Sequence, residues 1–147
     1  MKKVGFLALL VVVSINCHAA DSKETCGDKK YIEAEGKLAI AEKEMKKSSE
    51  PWKDLEAAFK YWDSCTHWFQ DESFNDAIAE LTSSRWDRIS DLVEIRNKNP
   101  SFYKYIIRSL GNEIVGLIRS QKILSLSVKD CPKGASDVCK DIEKACK

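Results

Sequence analysis

The residues best suited to chemistry are a thiol and an imidazole close together, Cys65-Thr66-His67, and three cysteines near the C-terminus, Cys131, Cys139 and Cys146. Nucleophilic attack by a thiol needs a base that faces it and a third group that orients the base. Residues two apart on a helix do not face each other, so His67 is expected to be an ordinary histidine. Zinc sites carry spacings such as CxxC or HExxH, and the chain has neither. Asp71-Glu72 and Asp87/Asp91 are the remaining candidates for acid–base work. Acids near helix starts are expected for capping and dipole reasons alone. No glycine-rich phosphate loop is present. The expectation is therefore no catalytic residue, no metal and no cofactor.

The N-terminus decides how the cysteines are used. Lys2 and Lys3 precede an uncharged run from Val4 to Ile15. That run is shorter than the ~20 apolar residues a membrane span requires, and small residues follow it. Residues 1–19 read as a secretory signal peptide cut after Ala19, and residues 20–147 as one domain. A lipid anchor on Cys17 is disfavoured because Asn16 stands where a small residue is expected. The expected destination is the periplasm or the exterior, where disulfides are the default state of cysteine.

Five cysteines remain: Cys26, Cys65, Cys131, Cys139 and Cys146. On one helix Cys139 and Cys146 would lie about 10 Å apart, beyond the roughly 4.4–6.8 Å between bridged Cα atoms. Each needs another partner. Pro132 and Gly134 form a turn that would bring Cys131 to Cys139. Cys26 then pairs with Cys146 or Cys65. The Cys26–Cys146 bridge is preferred because it ties down both ends of the domain, and one thiol is left over.

Those cysteines must be positioned by helices. Tyr31, Ala34, Leu38, Ala41 and Met45 recur at steps of three and four. Ser48 to Pro51 ends that helix and starts a second, with Trp52, Leu55, Phe59, Trp62 and Phe69 on one stripe. Ser73 and Asp76 suggest a capping box for a third, and Ser84-Arg85-Trp86-Asp87 repeats the pattern for a fourth. A fifth starts at Asn99-Pro100, buries Phe102, Ile106 and Leu110, and ends at Gly111-Asn112. A sixth covers Glu113 to about Ile123. Leu124 to Val128 alternates and reads as a helix end or an extended connector. A short helix from Ser136 closes the chain. The fold class is all-α, a compact, disulfide-stapled bundle of about six or seven helices.

Charge narrows the partners. Removing residues 1–19 takes Lys2 and Lys3 from the 24 basic residues and leaves all 23 acids, so the mature domain carries −1 with histidine neutral. There is no basic stripe of the kind a phosphate backbone requires, which makes nucleic acid an unexpected partner. On the second helix Tyr61 and Trp68 fall opposite the core stripe. A helix apolar on both faces is either central, the usual arrangement, or displays an aromatic patch. Tyr105 lies off the main stripe of the fifth helix. Tyr61, Trp68 and Tyr105 are the candidate contacts for a protein partner, because tyrosine and tryptophan are favoured interface anchors.

From Asp63 onward the chain resembles a group of small secreted bacterial proteins, most without an assigned activity. The resemblance rests on Asp63-Ser64-Cys65, Arg85-Trp86-Asp87, Asn99-Pro100-Ser101-Phe102, and Cys131-Pro132 followed by Cys139. It implies a helical, disulfide-containing periplasmic domain and brings no catalytic residues. In size, signal peptide, helical build and cysteines the chain is also similar to immunity proteins that neutralise type VI secretion amidases. The expected function is non-catalytic binding of another protein, as an inhibitor or immunity protein. A structural or envelope-stress accessory role is the alternative, and a Cys65/His67 hydrolase comes last.

Overall fold

A computed structural model describes residues 28–62, 68–112 and 115–147, with the side chains of 28–31, 34, 62 and 68–71 excepted. The expected signal peptide, Cys17, Cys26, Cys65 and His67 lie outside the described residues. Among the described residues seven helices follow in order: α1 Asp28–Met45, α2 Pro51–Trp62, α3 Trp68–Ser84, α4 Asp91–Lys98, α5 Pro100–Leu110, α6 Leu117–Lys129 and α7 Ser136–Ala145. A 3-10 turn, Trp86–Arg88, leads into α4. The described residues contain no strand, so the fold is all-α, as the apolar spacing implies.

α5 forms where its local signals agree. The Asn99 side chain caps it by accepting the Phe102 amide at 3.1 Å, and Pro100 occupies the first turn. Proline suits that position because its missing N–H would have had no intrahelical partner. Phe102, Tyr103, Ile106 and Leu110 are buried on one side. Gly111 ends the helix for a reason of packing: a Cβ there would lie 2.9 Å from the Ala145 carbonyl oxygen. The end of α7 can approach only because residue 111 has no side chain.

An aromatic cluster fastens the α1–α2 hairpin to the rest. The Phe59 ring on α2 lies 4.8 Å from Phe102, 5.0 Å from Tyr105 and 5.9 Å from Phe74. A second fastening is polar. Arg85 donates to the carbonyl oxygens of Met45 and Ser48, each at 3.1 Å, where α1 has run out of amide partners. Asp87 holds the same guanidinium on its other edge, and the Trp86 indole donates to the Asp130 carbonyl at 2.9 Å. Arg85-Trp86-Asp87 therefore joins the ends of α1 and α6 around the 3-10 turn.

Three expected boundaries are corrected. The second helix stops at Trp62, and Trp68 and Phe69 belong to α3, so Ser73 and Asp76 sit inside a helix and cap nothing. An unbroken apolar period across residues 52–69 concealed the junction. The sixth helix runs to Lys129 and not to about Ile123, and of the two readings of 124–128, helix end and extended connector, the first is the one observed. Its serines are compatible with a helix because Ser127 bonds back to the Leu124 carbonyl at 2.8 Å. The Trp86 segment begins as a 3-10 turn without a side-chain cap, and α4 starts at Asp91.

Cys131 and Cys139 are bridged, with 6.1 Å between their Cα atoms, and Gly134 turns the chain between them at φ +88°. Cys146 is a free thiol. This corrects the preferred Cys26–Cys146 bridge: the half-buried Cys146 sulfur packs against the end of α5, 3.8 Å from the Leu110 carbonyl oxygen.

Candidate interaction surface

Catalysis finds little to build on among the described residues. They contain no histidine and no group of three or more side chains able to hold a metal. Burial pushes the Cys146 thiol above its ordinary pKa, which keeps it protonated at neutral pH. An activated cysteine is shifted the other way. The Tyr103 hydroxyl is likewise held far above the usual tyrosine value, first by burial and then by its 2.8 Å hydrogen bond to Asp141. Both shifts stabilise inert protonated groups.

Asp63-Ser64-Cys65 lie outside the described residues; the other segments on which the resemblance rests act as fasteners. Arg85, Trp86 and Asp87 tie helix ends together, Asn99 and Phe102 start and anchor α5, and Cys131 clasps Cys139. Asn99 reaches further, donating from its amide to Glu56 on α2 at 2.9 Å. None of these side chains is left over to recognise a partner.

The expected aromatic contacts do not share one helix face. Tyr61 lies in the last turn of α2 and is 42% exposed, with the Lys37 ammonium 5.4 Å from its ring centroid. Trp68 opens α3, and its side chain lies outside the described residues. Tyr105 is half-buried: one ring neighbour is Phe59, another is Phe74 at 5.6 Å, and the Arg108 guanidinium sits 5.0 Å from its centroid. Its ring belongs to the edge of the core.

Comparison of the chain with protein-family models, with curated proteins and with solved structures finds no match. The surface itself must supply the site.

Two helices leave large aliphatic side chains in solvent. On α1, Ile32 and Ile40 are exposed on the side opposite buried Leu38, Ala41 and Met45. Lys43 lies on that same outward stripe, three residues from Ile40, so charge interrupts it. α6 differs. Leu117 is 74% exposed, Ile118 85% and Val128 60%, and exposed Gln121 and Ser125 fill the gaps at steps of three and four. Buried Ile123 and Ser127 occupy the other side. The outward face thus runs nearly the length of a 13-residue helix, about 20 Å, with exposed Lys122 and Lys129 its only charged groups. α6 contains no acid at all. Lys122 and Lys129 stand along one edge, and Arg119 turns back to pair with Asp76 and Glu80 of α3.

Sequence reasoning missed this face because it ended the sixth helix near Ile123. Val128 was then not placed on the same side as Leu117 and Ile118. A helical reading to Lys129 makes the second apolar stripe visible at once.

A cleft of about 350 Å³ lies between α2 and α4. Its rims are charged, and the charges pair along their own segments. Lys53 holds Glu50, Arg88 holds Asp91 at 2.9 Å, and Lys98 holds Glu94 at 2.6 Å. Trp52 lines its wall, fully buried, and its indole N–H has no hydrogen-bond partner.

Proposed function

We propose that this is a non-catalytic binding protein of the bacterial periplasm that docks another protein through the outward face of α6. One observation carries the reading: Leu117, Ile118 and Val128 stand in solvent on one face of α6 whose only charges, Lys122 and Lys129, lie along its edge. Large aliphatic side chains left exposed at both ends of one helix face, with a polar rim, suit a site of association. Complete burial of such side chains is worth about 1.5–3 kcal/mol each, enough for three of them to dominate a small interface. The partner contributes an apolar surface opposite Ile118, with polar or acidic groups toward Lys122 and Lys129. An inhibitor or immunity protein that covers another protein's site is a role of this kind, since it needs a stable scaffold and no reactive group. No described helix is long and apolar enough to cross a membrane, so the face is not explained by a span within those residues.

A photo-crosslinking residue at Gln121, in the full chain expressed in its own compartment, tests the assignment. A discrete protein adduct is expected, and Ile118→Asp with Val128→Asp should abolish it without changing helical content. Absence of an adduct, or one indifferent to both aspartates, would reject the α6 site.

A further inference from the structure

We propose that a groove along α5 docks an acidic segment of another protein, its carboxylates on Lys104, Arg108 and Arg96 and an apolar side chain among them on Tyr103 and Ile107. The groove shares no lining residue with α6, so neither assignment depends on the other.

The floor of the groove is apolar. Pro100, Tyr103 and Ile107 recur at steps of three and four, which places them on one side of α5. Lys104 and Arg108 run beside that floor, four residues apart, and both are exposed. Like charges at that spacing repel each other on a helix surface. Among the described residues neither has an acid within ion-pair distance. The cleft between α2 and α4 is different, since Lys53, Arg88 and Lys98 each hold a carboxylate there. Arg96 of α4 adds a third cation to the groove. Its contact with Asp137 is long, 3.6 Å, and both side chains are largely in solvent. The one lining acid, Asp141 of α7, already accepts the Tyr103 hydroxyl at 2.8 Å. Three cations therefore face one acid, and the excess lies within reach of a partner.

Aromatic rings prepare the two arginines. The Arg96 guanidinium lies 5.7 Å from the Tyr103 ring centroid, and that of Arg108 5.0 Å from Tyr105. A ring positions a guanidinium without supplying an acceptor oxygen, so the fork that grips a carboxylate at two points stays available. An apolar floor offers nothing to a phosphate backbone, and it suits an aliphatic side chain carried between acids. The groove's volume of about 550 Å³ falls within the range of ligand pockets, room for a short segment.

Isothermal titration of the full chain with a capped Glu-Leu-Glu-Leu-Glu peptide tests this. A glutamine-for-glutamate peptide removes the charge, and a glycine-for-leucine peptide removes the apolar contact. Saturable binding of the first peptide, reproduced by neither control and lost in about 1 M salt, where the screening length is ~3 Å, is expected. Arg108→Gln should weaken it about tenfold, as loss of hydrogen bonds to a charged group does, and Lys104→Gln about threefold, as for an exposed ion pair. Circular dichroism should show both variants folded, since the two side chains are exposed. Ile118→Asp, on α6, should leave peptide binding unchanged. No saturable binding at millimolar peptide, equal binding of either control, or unchanged affinity in a folded Arg108→Gln would overturn the proposal. So would tighter binding to phosphatidylglycerol vesicles than to the peptide, which would give the groove to a membrane surface.

Discussion

α5 and α6 are consecutive helices of one bundle and use their apolar residues in opposite ways. α5 leaves none of its large apolar side chains exposed: Phe102, Tyr103, Ile106 and Leu110 are buried, and Tyr105 and Ile107 pack against the core edge. α6 buries Ile123 and a serine, half-covers Leu124 and Leu126, and leaves Leu117, Ile118 and Val128 in solvent. The fold accounts for every apolar residue of α5. It accounts for only half of those on α6. Substitutions in α5 should therefore read out as stability, and substitutions on the outward face of α6 as binding.

The largest effect belongs to the accounted-for side. Phe102→Ala removes a fully buried ring that stacks on Phe59 and should cost about 3–5 kcal/mol in urea unfolding. A loss under ~1 kcal/mol would show that α5 does not anchor the core as described. Breaking the clasp with Cys131→Ser and Cys139→Ser comes next. Its eight-residue separation predicts a loss of about 2–3 kcal/mol in the chain-entropy model. Non-reducing peptide mapping of the wild type should recover that pair with Cys146 as a free thiol. A Cys146 disulfide would contradict the packing of its sulfur on α5.

How much was legible in the sequence follows the same division. The start of α5 was readable because Asn99, Pro100 and the apolar period agree, and consistency between local and global signals marks such elements. The Cys131–Cys139 clasp was readable because proline and glycine between two cysteines make a tight turn. The α2–α3 junction was not, since the helical period ran across it. Nor was the free state of Cys146, which depends on how closely α7 lies against Gly111 and Leu110 in space. The cleft was also invisible, because Glu56 and Asp91 come to line it only when segments far apart in sequence fold together.

A smaller effect probes α1, the other helix with exposed isoleucines. Burial, then Asp76 and Glu35, raise the pKa of Glu42 above its ordinary 4.5. An acid raised in the folded state is penalised when charged, so its unfavourable contribution is absent in acid and develops as pH rises past 4.5. Glu42→Gln should match the wild type's thermal midpoint well below that value and exceed it at neutral pH. An advantage that does not grow with pH would contradict the assigned cause.

The central claim is that the outward face of α6 serves binding and not folding. It is tested most directly by titrating the purified partner, identified through Gln121, against the wild type and Ile118→Asp. The account predicts a loss of affinity of about a hundredfold, as for a buried aliphatic anchor. Unfolding free energy should stay within ~0.5 kcal/mol, as for an exposed position. Unchanged affinity, or a large loss of stability, would contradict it.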